Sequence, residues 1–194
     1  MNLDPNTLCQ RYLHILYQDA QRNSTHENQI TETYGEILYP SVNTLISLLS
    51  LTEHDVFVDL GSGLGKIVLQ VFLCSPVKEA RGIEILPHLH NQALAVAHKL
   101  REELPDFYAG ERQLTFLSDD FLQTSLDGIT VALICSQCYS QTMLHQLGTI
   151  IENTATIHTV LSLRPISNLQ RLRLTKVVRI QCSWDTALCY VYVK

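Results

Sequence analysis

The run Val56-Phe57-Val58-Asp59-Leu60-Gly61-Ser62-Gly63-Leu64-Gly65-Lys66 decides the fold of this chain, because an apolar stretch ends there in an acid and three alternating glycines. Apolar and β-branched residues closing on a carboxylate describe a buried parallel strand. The glycines then let the backbone turn sharply and come close to a ligand. Ile67-Val68-Leu69-Gln70-Val71-Phe72-Leu73 continues as a helix packed on the sheet. Its N-terminal N–H groups face the loop and suit an anionic or carboxylate group. Strand, tight loop and helix in this order make a nucleotide-type unit.

Spacing narrows the ligand. The dinucleotide fingerprint G-x-G-x-x-G needs a glycine five residues after its first, and those positions are Lys66 counted from Gly61 and Val68 counted from Gly63. A D-x-G-x-G-x-G loop followed one βα unit later by a strand-end acid, Glu84 in Ala80-Arg81-Gly82-Ile83-Glu84, points instead to S-adenosylmethionine. The ribose hydroxyls of that cofactor want a carboxylate acceptor. The plainer alternative is a glycine-rich βα turn with no ligand, and the correctly placed acid argues against it.

Working outward from the loop, strands are expected near 55–59, 80–84, 113–118, 130–135 and 156–163, with helices near 65–75, 87–104 and 140–152 between them. This alternation is the signature of a parallel sheet covered on both faces. Leu174 to Cys182 and Ala187 to Val193, joined by Ser183-Trp184-Asp185-Thr186, read as a closing antiparallel hairpin. Upstream, Asp4-Pro5 reads as an N-cap and first helical position, and Leu8, Tyr12, Ile15 and Leu16 recur at helical spacing. A helix over about residues 5–22 follows, then a polar loop from Asn23 to Gln29, then a helix after Pro40. Residues 1–30 are therefore expected to form an N-terminal helix and loop. Residues 31–194 are expected to form an α/β, Rossmann-like domain of the class I methyltransferase architecture, with a mostly parallel sheet and a C-terminal antiparallel hairpin.

Composition agrees with one domain: 194 residues, 46% hydrophobic and 17% charged. A net charge of -5 argues against gripping nucleic acid by bulk charge. The basic run Arg164, Arg171, Arg173, Lys176 and Arg179 is read as a solvated face, with an acidic partner as the alternative. Met1-Asn2-Leu3-Asp4-Pro5 lacks the features of a signal peptide and no run reaches membrane-spanning length, so a cytoplasmic protein without membrane attachment is expected. The six cysteines, Cys9, Cys74, Cys135, Cys138, Cys182 and Cys189, sit in apolar stretches that suit free thiols. Cys135-x-x-Cys138 matches a metal or redox spacing, but the second pair is wrongly spaced for a zinc knuckle, so no metal is expected. His88, His90 and His98 are expected at a solvated or core-edge position.

In an open α/β sheet a ligand lies at the carboxyl ends of the strands, and the singled-out residues all fall there. Asp59, Gly61, Ser62 and Gly63 end the first strand, Glu84 the second, Asp119-Asp120-Phe121 follow the third, and Cys135 to Tyr139 follow the fourth. Asp120 suits the exocyclic amine of adenine and Phe121 its ring face.

Thr33-Tyr34-Gly35-Glu36, the run from Asp55 to Gly65 continuing through Val68-Leu69-Gln70-Val71, then Gly82-Ile83-Glu84, Asp120-Phe121-Leu122 and Ser183-Trp184 resemble the DOT-one (disruptor of telomeric silencing) family. These are non-SET class I lysine methyltransferases whose eukaryotic members modify a core histone. The resemblance covers roughly residues 30–194. It implies that Tyr34, Gly35 and Glu36 lie near the methionine end of S-adenosyl-L-methionine, Glu84 at the ribose, and Asp120 and Phe121 at the adenine. It also implies an acceptor channel lined by Tyr139, Trp184 and Tyr190, with Ser136 in the same segment. Where the family carries an asparagine pair followed by aromatic residues, this chain has Cys135-Ser136-Gln137-Cys138-Tyr139, and where the family's loop continues with glutamine it has Lys66.

The function these readings imply is methyl transfer to an exposed lysine of a protein substrate. The alternatives are a class I methyltransferase for a small molecule or RNA, and a cofactor-binding interaction module without catalysis.

Overall fold

The computed structural model describes residues 5–23 and 35–194. Asp4, residues 24–29 of the expected polar loop, Thr33 and Tyr34 lie outside the described residues, and Asn23, expected in that loop, is the last residue of the first helix. Twelve principal elements follow in the order α1 (Pro5–Asn23), α2 (Tyr39–Leu49), β1 (Val56–Leu60), α3 (Lys66–Cys74), β2 (Glu79–Glu84), α4 (Pro87–Glu103), β3 (Gln113–Ser118), β4 (Val131–Ile134), α5 (Gln141–Asn153), β5 (Thr159–Ser162), β6 (Arg173–Gln181) and β7 (Thr186–Val193). Short 3-10 turns at Pro105–Tyr108 and Ser136–Cys138, which hydrophobic periodicity does not reveal, complete the set. The fifth strand is shorter than expected because Thr154 to Ile157 closes a turn after α5, with the Ile157 N–H donating to Thr154 O at 3.1 Å.

The strands form one sheet in the order β3-β2-β1-β4-β5-β7-β6. β1 to β5 run parallel, and β7 is antiparallel to both β5 and β6. β1 lies between β2 and β4, where the order reverses, so the loop after it opens at the crevice where α/β sheets take ligands. Period-two alternation divides its side chains. Phe57 joins a core built with α1, α2, α3 and α4, whereas Val58 and Leu60 join a second core with Leu147 and Ile151 of α5.

Helix α3 shows why the loop is rigid. Val68, Leu69, Val71 and Phe72 recur on one helical stripe and are at most 1% exposed, each contributing about 1.5–3 kcal/mol by burial. The helix stops at Ser75-Pro76. Arg112 completes its C-terminus by donating to the carbonyls of Ser75 at 2.8 Å and Val77 at 3.1 Å while its guanidinium lies over the Phe72 ring.

At the opposite end of the sheet Asp55 holds the strands in register. One carboxylate oxygen accepts from the Thr52 N–H and hydroxyl at 2.8 and 2.9 Å, and the other accepts from Thr130 at 2.9 Å and contacts His158 Nε2 at 3.2 Å. Burial alone would raise this carboxyl. The converging donors outweigh it and hold Asp55 below the usual range. Thr130 precedes β4 and His158 precedes β5, so one side chain aligns three strand starts.

Arg171, the middle of the basic run, does not form a solvated face. Its guanidinium donates to the carbonyls of Ile151, Thr154 and Ile157 at 2.9, 2.9 and 2.6 Å and closes the end of α5.

Candidate functional site

The loop after β1 turns through left-handed conformations at Gly61, Gly63 and Gly65, with φ of 87°, 52° and 75°. Gly61 is required for a second reason. A Cβ there would collide with the hydroxyl of Tyr139, which donates to Leu60 O at 2.9 Å and so lies directly on the loop. Most of the loop amides are turned inward. Gly61 and Ser62 donate to Ile83 O at 2.9 and 3.0 Å, and Gly65 donates to Ser62 O at 2.8 Å. Gly63 donates to Glu84 Oε2 at 2.8 Å. A loop whose amides are spent this way differs from an anion cradle, where backbone N–H groups point outward.

Glu84 ends β2 and is buried, at 6% exposure. Its second oxygen accepts from the Leu86 N–H at 2.9 Å, so one carboxylate ties the glycine loop to the entry of α4. Asp59, 2% exposed, has Oδ1 buried without a partner, and the Ser62 hydroxyl is likewise unsatisfied. Burial, and then the charge of Glu84, push the Asp59 carboxyl well above the usual range. The same surroundings raise the Cys135 thiol to about 12, burial first and Asp59 next. Phe121, which follows β3, packs its ring against Tyr139 with centroids 5.5 Å apart. Asp120 turns one oxygen onto the Leu122 N–H at 2.9 Å.

The segment from Gly35 to Leu38 reaches this loop by adding an antiparallel bridge to the end of β6. Ile37 pairs with Cys182. The Ser183 N–H donates to Glu36 O at 2.8 Å, the Leu38 N–H donates to Gln181 O at 3.0 Å, and the Glu36 N–H donates to the Ser183 hydroxyl at 3.0 Å. Trp184 then stacks on Gly35 so closely that a side chain at 35 would overlap its ring. Glu36 reaches across to Lys66, the first residue of α3, with both oxygens at 2.6 and 2.8 Å from Nζ. Lys66 Nζ also lies 5.2 Å from the centroid of the Tyr17 ring, and the Tyr17 hydroxyl donates to Leu64 O at 2.7 Å.

Gly35, Glu36, Asp59, Gly61, Ser62, Lys66 and Cys135 thus share the walls of one small cavity of about 40 Å³. A larger cavity of about 490 Å³ lies between α1, residues 36–39 and α3 on the other side of the Glu36–Lys66 pair. The chemistry of the loop, rather than volume, makes the smaller one the candidate site. Unpartnered buried oxygens on Asp59 and Ser62 and the backbone of Gly35 and Gly61 on the cavity wall, with the Glu84 carboxylate held against the same loop through Gly63, fit a ligand that presents hydroxyls and cationic groups.

Of the residues implied for the acceptor end, Tyr139 and Tyr190 both pack against the second core cluster, and Trp184 lies on Gly35. Ser136 is fully buried, its hydroxyl 2.9 Å from the Ser162 hydroxyl and accepting from the Arg164 N–H at 2.9 Å, so it ties the end of β4 to β5. Tyr190 lies opposite Ser162 of β5, the hydrogen-bond partner of Ser136. Tyr139 lies on Gly61. Tyr34 lies outside the described residues. Tyr17 and Ser183 are site neighbours that no local pattern in the sequence marks as such, and Lys66 stands out in sequence only as a departure from the family's glutamine. The signal for Lys66 was its place directly after the last loop glycine, whereas Tyr17 is brought to the loop by helix packing alone. Cys135, Cys138, Cys182 and Cys189 come near one another, and among the described residues no group of three or more His, Cys, Asp or Glu is arranged to hold a metal ion. No described helix is long and apolar enough to cross a membrane.

A mostly parallel seven-stranded sheet with an antiparallel β7, an acid-and-glycine loop after β1 and an acid at the end of β2 define a class I methyltransferase fold. An RNA methyltransferase from Salinibacter ruber in complex with S-adenosyl-L-homocysteine shares it, with a TM-score of 0.53 and 20% identity over 79% of this chain and 90% of that one. The chain belongs to the family described as Histone methylation protein DOT1, whose model matches residues 12–181. A Drosophila melanogaster histone-lysine N-methyltransferase specific for histone H3 lysine-79 is 33% identical over 82 residues, 40% of this chain and 4% of that protein. Its Caenorhabditis elegans counterpart is 29% identical over 118 residues, 61% of this chain and 12% of that protein. The chain therefore matches only a small part of the length of these relatives.

Proposed function

We propose that this chain is an S-adenosyl-L-methionine-dependent methyltransferase that modifies a lysine amine of a protein substrate. The observation that carries the reading is the docking of Gly35 and Glu36 on the β6–β7 hairpin and on Lys66, which makes this family-specific segment a wall of the glycine-loop cavity. Membership in the DOT1 family and the named activity of its histone-modifying relatives support the same reading.

Glu84 would hold the ribose hydroxyls, Asp120 and Phe121 the adenine, and Asp59, Gly61, Ser62, Gly63, Gly35 and Glu36 the remainder, with Tyr34 implied at the methionine end. When bound, the cofactor supplies a methyl group on a sulfonium sulfur, which needs only an aligned, uncharged nucleophile. The inward-turned amides leave few donors for a diphosphate, which favours this phosphate-free cofactor over a dinucleotide. Tyr139 and Phe121 offer apolar surface that excludes water, and Trp184 on Gly35 shields the cavity from the hairpin side. Such surroundings lower the pKa of an incoming lysine and expose its lone pair.

A net charge of -5 and the use of Arg171 in capping α5 favour a protein over a nucleic acid as partner. Incubation with methyl-labelled S-adenosylmethionine, mixed protein extract and RNA tests this. Label recovered as methyl-lysine supports the reading, and label confined to RNA or small molecules overturns the substrate. Calorimetry separates the cofactor step, with micromolar affinity expected, roughly -8 kcal/mol, and no heat from NAD.

A further inference from the structure

Two thiols 65 positions apart in sequence meet outside the candidate site. Cys9 on α1 and Cys74, the last residue of α3, bring their sulfurs to 3.1 Å, within a shared hydrogen bond. The Tyr39 hydroxyl stands 3.6 Å from the Cys74 sulfur and can support charge on it. Both cysteines are partly exposed, so a small oxidant reaches them, unlike the buried Cys182 and Cys189. Helix α1 also carries Tyr17, whose hydroxyl holds Leu64 in the glycine loop, and Tyr12, whose hydroxyl donates to Glu103 of α4 at 2.6 Å. A bond between the two sulfurs would fasten this helix to the element that carries the loop.

We propose that Cys9 and Cys74 form an oxidisable dithiol, a modification site at which a hydroperoxide is reduced and α1 becomes covalently joined to α3. The hydrogen bond shared with Cys9 is the main reason Cys74 is lowered to about 7, with Tyr39 adding to it against burial, while Cys9 is raised by the same bond and by burial. Cys74, which the Tyr39 hydroxyl faces at 3.6 Å, is taken as the attacking sulfur. Its thiolate attacks one oxygen of hydrogen peroxide, the O–O bond breaks, and the hydroxide that leaves takes up the proton the thiol had released, giving a sulfenic acid and one water. Cys9 sulfur then attacks the sulfenyl sulfur, the S–O bond breaks, the S–S bond forms, and the departing hydroxide takes the Cys9 proton as a second water. Two thiols lose two electrons and one hydroperoxide gains them, so no other reductant enters.

The test treats the full chain with a small excess of hydrogen peroxide, alkylates under denaturing conditions and maps the peptides by mass. The expected product loses two of its six alkylatable thiols and about 2 Da, with the Cys9 and Cys74 peptides linked. Its Tm rises on the order of 5 °C, because a long loop is closed. Cys9→Ser should stop at a sulfenic acid on Cys74 that a dimedone probe traps, and Cys138→Ser should change nothing. Six alkylatable thiols after treatment, a link between Cys135 and Cys138, or a link between two molecules would overturn the proposal. The wild-type map decides this even if a variant fails to fold.

Discussion

The indole of Trp184 occupies the space that a side chain at Gly35 would need, so the hairpin turn and the Gly35–Leu38 segment are fitted to each other at a single residue. Gly35→Ala should push the ring aside and loosen the wall of the cavity. Trp184 is the only tryptophan, and its fluorescence reports the event directly. A red shift, a stability cost of about 1 kcal/mol and a fall in methyl transfer on the order of tenfold are expected. Unchanged emission would show that the contact is dispensable.

Glu36→Ala removes the charge facing Lys66 but leaves the backbone bonds to Ser183 and Gln181 in place. The pair is partly exposed, with side chains 25% and 36% accessible, and such pairs contribute about 0–1 kcal/mol. Thermal stability should stay nearly intact while cofactor affinity and methyl transfer fall. A cost of several kcal/mol with normal affinity would make the segment a core-capping turn.

Glu84 has two duties that substitution can separate. Glu84→Ala leaves the Gly63 and Leu86 N–H groups without their acceptor and should cost roughly 2–4 kcal/mol of stability in addition to weakening cofactor binding by about 1–3 kcal/mol. Glu84→Gln keeps one acceptor oxygen and should recover part of the stability but less of the affinity. Paired denaturation and calorimetry read the two losses, and equal recovery of both would remove the need for a charge.

Asp59 should make the protein less stable as pH rises. Its carboxyl is raised in the folded state by burial and by Glu84, against about 3.9 when unfolded. The stabilising protonated form is fully present below the unfolded value and is lost as pH climbs through the raised one. Asp59→Asn should therefore be more stable than the parent at pH 7, with the gap closing toward pH 4. Denaturant titrations across that window check the sign, and a variant that is weaker at pH 7 would mean that the carboxylate is ionised and partnered.

Arg171→Ala should cost about 2–3 kcal/mol, because several carbonyls at the end of α5 lose their donor. Gel shifts with DNA at physiological salt should show no strong binding before or after the change. A salt-sensitive shift at submicromolar protein, abolished by the substitution, would restore the idea of a basic binding face.

Much of the architecture was legible in local pattern. The alternation of apolar strands and amphipathic helices, the acid and glycines after Val58 and the aromatic, β-branched pair of closing strands each depend on neighbours within a turn or two, which is the range over which periodicity acts. Strand ends moved by at most one residue, apart from the start of the fifth strand, which moved by three, because capping bonds such as those around Asp55 and Thr154 decide where pairing starts and stops.

By itself the sequence determined a parallel α/β sheet, the position of its ligand loop and the acids at the ends of β1 and β2, since those features follow from short-range spacing. Only the tertiary structure decided which residues share a wall. It set Gly35 beneath Trp184, Glu36 on Lys66, Tyr139 over Gly61 and Cys9 against Cys74, and it buried Ser136 and turned Tyr190 into the second core. These pairs lie from 30 to 149 positions apart, and no local rule of propensity or spacing reaches across a sheet; burial and hydrogen-bond satisfaction over the whole core bring them together.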